Sequence, residues 1–340
     1  MSIRATLLLP FYLCLSSACT PVASDNNFSV GFERALSKAE PVALISRTNG
    51  RVGLSLVPRN YKDSVAAWAE ALKLAEHLGV QVLQLPSGYW RDDEPAKDHY
   101  LWEPTERFFA ALAQSKIPFE ISQDFGGPYF HADNMAPGYL QPIEFTDPLF
   151  QPRYLKYLES YLTRFGNKIH RLLIHAEGSY SYFDAHPEHF EYYLNLLAAA
   201  KNLIQDRWPH IRLGVNIDPH VDPALLQEIS ERLDFVGFDI VQIEEVLEKP
   251  QDLEGLFDTL FANTANKPLS FACIWSSASG LGGGDNAQVE FYQEALRLLK
   301  THRSRIEYML LGQPFDEDQK LIGPADRAQF KNLSDEFVTD

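Results

Sequence analysis

The chain has few cysteines, few methionines and no cluster of basic residues. Its 340 residues include 3 Cys and 3 Met, and the formal net charge at pH 7 is -16. Cys14, Cys19 and Cys273 are too scattered to form a disulfide framework or a spacing typical of zinc ligands. An acidic chain without a run of Lys and Arg lacks the charge that nucleic acids attract. Nucleic acid is therefore not expected as a partner.

The N-terminal apolar run is too short to span a bilayer as a helix of the mature protein. Ala5–Leu15 follows a short basic start, as in a secretory signal. The residues up to Cys19 resemble a bacterial lipobox, although Ser16 stands where a larger aliphatic residue is usual, and ordinary cleavage nearby is the alternative. We predict a signal peptide over 1–18, and a lipidated Cys19 with a tether over 19–30. The lipid would be the only contact with a membrane of the bacterial cell envelope.

A Gly-rich phosphate loop is missing after the early strands, which argues against an open doubly wound sheet. From residue 42 onward, nearly continuous apolar runs alternate with amphipathic segments, as expected for parallel strands buried on both faces. The predicted strands are Val52–Val57, Val80–Leu85, Pro118–Gln123, Arg171–His175, Arg212–Ile217, Phe235–Val241, Leu269–Ile274 and Glu307–Leu311. Eight strands, each followed by a helical segment, predict a single (β/α)8 TIM barrel over 31–340.

Polar and aromatic residues occupy the C-terminal ends of the predicted strands. In a (β/α)8 barrel the loops that carry chemistry converge there. The candidate ligand contacts, in chain order, are Tyr89, Trp90, Asp124, His175, Tyr180, Asn216, Gln242, Trp275 and Gln313. Indole and phenol rings can stack on the apolar face of a sugar. Trp90 and Trp275 are equally suited to plugging a barrel end.

Glu177 is the strongest candidate for a catalytic residue. It directly follows the run Leu172–Ala176, so the barrel would direct it toward the mouth of the cleft. A carboxylic acid in an apolar setting can protonate a departing glycosidic oxygen. A loop salt bridge is the alternative role for this residue.

Four segments of the chain resemble the large clan of (β/α)8 glycoside hydrolases that includes endo-galactanases, β-galactosidases and family-five glucanases. They are Tyr89–Trp102, Leu172–Gly178, Asp234–Ile240 and Lys267–Ser277. The resemblance implies that Glu177 is the acid/base at the end of strand four. It also implies a nucleophilic Glu at the end of strand seven. Ala176 departs from the pattern, since the clan has Asn before its strand-four Glu.

The strand-seven nucleophile that the resemblance implies is missing. Counting from Lys267-Pro268 reaches Cys273, and the neighbouring registers reach Ala272 or Ile274. Either the chain binds a glycan without cleaving it, or another carboxylate takes over, or the thiol itself attacks. A lone Cys in an apolar strand is usually an inert core residue, which disfavours the thiol. The candidate substitute carboxylates are Asp124, Asp218, Asp239 and Glu244.

The sequence therefore predicts a glycoside hydrolase-like lipoprotein that acts on a poly- or oligosaccharide, with Glu177 as general acid/base. The alternative is a non-catalytic glycan-binding protein of the cell surface on the same barrel. Because no HxH or HExxH spacing occurs, no metal is expected. We expect no other cofactor, and we expect the protein to be a monomer.

Overall fold

The structure is a closed barrel of eight parallel strands. This computed structural model describes residues 51–55, 65–78, 80–85, 90–115, 119–125, 136–175, 183, 186–217, 221–241, 252–275, 294, 297–298 and 300–311. The strands are β1 Arg51–Ser55, β2 Val82–Leu85, β3 Glu120–Phe125, β4 Arg171–His175, β5 Arg212–Ile217, β6 Val236–Val241, β7 Leu269–Trp275 and β8 Ile306–Leu311. Each strand pairs with the next, and β8 closes on β1. The prediction of a single (β/α)8 TIM barrel is confirmed.

Helices connect the strands and cover the outside of the barrel. Among the described residues they are α1 Val65–Leu78, α2 Trp90–Asp93, α3 Glu103–Leu112, α4 Phe150–Phe165, α5 Phe190–Arg207, α6 Pro223–Arg232 and α7 Asp252–Asn263. Trp68, Leu72 and Ala75 are spaced at three- and four-residue intervals in α1 and are all buried. None of the helices described here combines the length and the apolar character needed to cross a membrane.

Two strands extend further toward the C-terminal end than the apolar pattern predicts. β3 continues through Asp124 to Phe125, because these residues still pair with Leu173 and Ile174 of β4. β7 includes Trp275, which pairs with Val241 of β6. Asp124 and Trp275 thus lie within strands, and the prediction that they follow them is wrong by one or two residues.

A network of buried ion pairs closes the N-terminal end of the barrel interior. Glu120 pairs with Arg51 and Arg171. Glu307 pairs with Arg212, and it accepts a 2.9 Å bond from Nε of Arg171. Burial alone would raise the pKa of the Glu120 carboxyl, but Arg171 and Arg51 hold that pKa below its ordinary value. We call these five residues the base network, and it stabilises the end of the barrel opposite the loops that carry chemistry.

A bulge in β8 brings Glu307 into the base network. Leu269 pairs with Ile306 and the next residue, Ser270, pairs with Tyr308, so Glu307 is an extra residue in β8. The Tyr308 hydroxyl lies 2.9 Å from the Ser122 hydroxyl of β3, across the interior. Because of the bulge, two successive residues of β8 both reach interior partners.

Candidate functional site

The candidate site begins with a row of residues on the inner face of β4 to β7. His175 pairs with Asn216, Asn216 with Gly237, and Gly237 with Ser270. A Cβ added at Gly237 would lie 2.6 Å from Cδ2 of Leu173, which belongs to β4, two strands away. Only the barrel interior lies between β6 and β4, so Gly237 faces inward. Neighbours in register share a face of the sheet, so Asn216 and Ser270 line the interior with Gly237.

Gly237 is required by the close approach of Leu173. An added methyl group would also meet the carbonyl oxygen of Val215 at 2.8 Å. Gly237→Ala is therefore expected to lower the free energy of unfolding by about 1–3 kcal/mol through overpacking. Urea unfolding measures this, with Gly255→Ala as the control, because a Cβ there meets nothing within 4 Å. That control should stabilise helix α7 slightly, and equal stability of both variants would contradict the packing argument.

Two polar side chains of the row are buried, and each has an oxygen atom that lacks a hydrogen-bond partner among the described residues. Asn216 is 1% exposed and Ser270 is 0% exposed. Within the described part of the chain, neither Oδ1 of Asn216 nor Oγ of Ser270 has a hydrogen-bond partner. Each is therefore able to bond a polar group that enters the interior. Asn216 was predicted as a ligand contact, whereas Ser270 was missed, although strict alternation from Phe271 would have placed it on the inner face.

A bulge in β7 lies directly beyond this row. Phe238 pairs with Phe271, but the next residue of β6, Asp239, pairs with Cys273, so Ala272 is extra. The pairing of β7 with β8 shows the same extra residue, because Phe271 pairs with Met309 and Ile274 with Leu311. The bulge therefore belongs to β7 and sets Cys273 beside Asp239 in the backbone register.

The strand-two loop is attached firmly to α4 through Trp90. Trp90 is 3% exposed, and its ring stacks on Tyr157 at a centroid distance of 5.7 Å. The edges of Phe150 and Tyr154 also contact it, and its indole N–H donates a 2.7 Å bond to Glu94. Protein side chains enclose the ring, which favours the packing role that the sequence analysis gave as the alternative to sugar contact for Trp90.

Glu94 fixes the same loop and was missed by the sequence analysis. It is fully buried, and its Oε1 accepts bonds from Nη2 of Arg153 at 2.5 Å and from the backbone N–H of Asp98 at 2.8 Å. Arg153 also donates a 3.0 Å bond to Asp98. These bonds satisfy the buried carboxylate, so Glu94 is a structural anchor of the strand-two loop.

The structure describes only some of the predicted site residues. Asp124, His175, Asp239 and Trp275 lie in strands, each in the C-terminal half of its strand. The predicted residues outside the described ranges are Cys19, Tyr89, Glu177, Tyr180, Asp218, Gln242, Glu244 and Gln313. The described ranges hold no group of three or more His, Cys, Asp or Glu arranged to bind a metal ion.

No family model matches the chain, and no curated protein matches its sequence. Solved structures do resemble it. A GH5_18 protein from Streptomyces cattleya in complex with GlcNAc has a TM-score of 0.68 at 13% identity, over 87% of this chain and 82% of its own. A GH5_18 protein from Bifidobacterium longum subsp. infantis has a TM-score of 0.65 at 12% identity, over 85% and 79%.

A third similar structure is the exo-beta-1,4-mannosidase Op5Man5 from Opitutaceae bacterium strain TAV5. Its TM-score is 0.63 at 12% identity, over 87% of this chain and 62% of the mannosidase. At such low identity these likenesses establish a shared fold and nothing finer. The shared fold is the (β/α)8 barrel.

Proposed function

We propose that the chain is a glycoside hydrolase that cleaves an oligo- or polysaccharide, with Glu177 as the general acid. The observation that carries the proposal is the row of paired residues from His175, the last residue of β4, to Ser270, near the start of β7, in which Asn216 and Ser270 hold buried oxygen atoms without a hydrogen-bond partner among the described residues. The likeness to glycosidases over most of the chain supports it. The mature protein would be held in the cell envelope by a lipid on Cys19.

The position of Glu177 relative to β4 supports its role. β4 ends at His175, so Glu177 follows two residues beyond the strand, where a side chain can serve the cleft mouth. Counting two residues on along each strand from the row His175, Asn216 and Gly237 reaches Glu177, Asp218 and Asp239. By sequence count, each of these three residues is thus followed two positions later by a residue with a carboxyl group, and acid and base catalysis of glycoside cleavage requires two such groups.

Further residues are proposed to hold the sugar. Asn216 offers a buried amide oxygen to a hydroxyl group. Trp275, the last residue of β7, pairs with Val241, two residues beyond Asp239, and is suited to stacking on a sugar face. The other proposed ligand contacts are Tyr89, Asp124, His175, Tyr180, Gln242 and Gln313.

A second candidate function is glycan binding without cleavage. The observation that favours it is Cys273, which stands in β7 at the position where the resemblance implies a nucleophilic Glu. A barrel of this kind with one carboxylate removed keeps its cleft but loses covalent catalysis.

Sugar release and sugar binding measured side by side distinguish the two functions. The purified protein and Glu177→Gln are incubated with Manb1-4GlcNAc and with oligosaccharides of β-linked glucose, mannose and galactose. Reducing ends are quantified, and binding is measured on a glycan array. Release by the wild type that the variant loses while it still binds supports the hydrolase. Binding without release by either protein contradicts it and supports the receptor.

A further inference from the structure

The base network carries one more positive charge than negative charge. Its guanidinium groups are those of Arg51, Arg171 and Arg212, and its carboxylates are those of Glu120 and Glu307. Each carboxylate is already shared, Glu120 by Arg51 and Arg171, and Glu307 by Arg171 and Arg212. A buried charge is normally balanced by an opposite one. The described residues therefore supply one anion too few for this network.

Arg51 is the member of the network with an unused donor. It is 5% exposed, its Nη1 contacts Glu120, and its Nε has no hydrogen-bond partner in the described part of the chain. Nε–H belongs to an edge of the guanidinium that carries two parallel N–H groups, and such an edge fits two oxygens of an oxyanion. A buried donor without an acceptor costs free energy, so we expect an acceptor at Arg51 that these residues do not provide.

The charge of Arg51 is only partly compensated. Burial lowers the pKa of its guanidinium below the ordinary value. The hydrogen bond to Glu120 opposes this shift of the pKa, whereas the neighbouring cation of Arg171 adds to it. A second anion beside Arg51 would favour the charged form of the guanidinium and would stabilise the folded state in which that form is buried.

The surroundings of the network are basic, although the chain as a whole has a net charge of -16. The loops that lead into β4, β5, β6, β7 and β8 lie at the same end of the barrel. Their Lys, Arg, Asp and Glu residues are Lys168, Asp234, Lys267, Arg303 and Arg305. Asp234, the single carboxylate among them, pairs with Lys201 of α5 at 3.0 Å. The field at this end of the molecule therefore attracts anions.

We propose that the N-terminal end of the barrel binds a small inorganic oxyanion, phosphate or sulfate, beside Arg51. The ion supplies the negative charge that the base network lacks and accepts the hydrogen bond that Nε of Arg51 can donate. The site lies at the end of the barrel opposite the loops that carry chemistry, and it does not depend on the proposed hydrolysis.

The charge and the burial of the network disfavour other ligands. A metal cation would increase the excess of positive charge, and a neutral sugar would leave that excess uncompensated. A lipid head group fits poorly because Arg51 and Arg171 are each 5% exposed, too deep for a phosphate that is esterified to a lipid. Chloride can balance the charge, but a spherical ion does not match two parallel N–H groups as an oxyanion does.

The melting temperature of the full chain tests the site without an assay of activity. It is measured at pH 7 in sodium chloride, which is replaced stepwise by sodium phosphate or sodium sulfate at constant ionic strength. An ion that binds only the folded state raises the melting temperature as its concentration exceeds Kd. For a Kd of about 1 mM, an increase from about 1 mM to about 100 mM oxyanion should raise the melting temperature by about 3–6 °C.

Substitutions at Arg51 assign this rise to the site. Arg51→Met removes both the unused donor and the excess charge, so the rise should disappear. Arg51→Lys keeps the charge but loses the pair of parallel N–H groups, and it should weaken binding on the order of 10-fold. The matched control is Arg297→Met, which removes a guanidinium from the surface and should keep the full rise.

Isothermal titration calorimetry of the wild type with phosphate gives a readout that needs no variant to fold. Saturable binding of one ion per chain supports the proposal, and an absence of saturable binding up to about 100 mM phosphate would overturn it. An equal rise of the melting temperature in the wild type and in Arg51→Met would also overturn it. Phosphate and sulfate would then stabilise the protein only because they are excluded from its surface.

Discussion

Glu177→Gln is expected to slow the hydrolysis of an alkyl or sugar β-glycoside by about 10²–10⁴-fold, and that of a 2,4-dinitrophenyl β-glycoside far less. A general acid is needed only where the departing oxygen is too basic to leave unprotonated, and dinitrophenolate leaves readily without a proton. The measurement is kcat/KM for a series of aryl glycosides of falling phenol acidity. As the phenol of the leaving group becomes less acidic, kcat/KM should fall more steeply for the variant than for the wild type.

The matched control for this series is Glu191→Gln, which makes the same change on the exposed surface of α5. It should leave every rate in the series unchanged. If Glu177→Gln lowered all rates by the same factor, Glu177 would hold the substrate or the loop rather than donate a proton. If it lowered none, the acid would have to be sought elsewhere at the barrel mouth.

The strand pattern was predicted well because the barrel buries both faces of each strand. β4 and β5 have the predicted bounds to the residue, Arg171–His175 and Arg212–Ile217. β4 has an apolar run between Arg171 and His175, and β5 has a mostly apolar run that starts at Arg212 and ends just beyond Asn216, so polar residues mark the limits. β3 was placed two residues too early, because its buried inner residues Glu120 and Ser122 are polar. Polar residues on an inner face look like the end of a strand when the sequence is read alone.

The arrangement of the candidate site depends on the pairing register between neighbouring strands. The sequence of a single strand does not reveal that register. Leu269–Trp275 is a nearly continuous apolar run, and nothing in it shows that Ala272 is the extra residue. The bulge becomes visible only when β7 is compared with both of its neighbours. Counting along the sequence did reach Cys273, but it could not show that Asp239 lies beside it.

Contacts between distant parts of the chain were also beyond the sequence analysis. Trp90 follows the second strand, a place that suits either a sugar contact or packing. The residues that decide the matter, Tyr154 and Tyr157, lie in α4, more than sixty positions later. The base network likewise joins residues from Arg51 to Glu307, and no local pattern relates them.

Arg171→Met is expected to cost about 3–5 kcal/mol of unfolding free energy, the largest stability loss that we predict. Arg171 is the member of the base network that contacts both carboxylates, Glu120 and Glu307. Met keeps much of the apolar volume of the side chain but leaves two buried carboxylates without their shared partner. Thermal and urea unfolding measure the loss, and the melting temperature should fall by on the order of 10 °C.

The control is Arg297→Met, which removes ion pairs with Glu254 and Glu294 on the surface and should change stability little. The pH dependence adds a second check. The folded-state pKa of Glu120 lies below its ordinary value, so its contribution is complete above the unfolded-state pKa and is lost as the pH falls through the lower folded-state value. The stability gap between the wild type and Arg171→Met should therefore narrow in acid. If the stability difference between the wild type and Arg171→Met were small at pH 7, or stayed constant in acid, packing rather than charge would stabilise this end of the barrel.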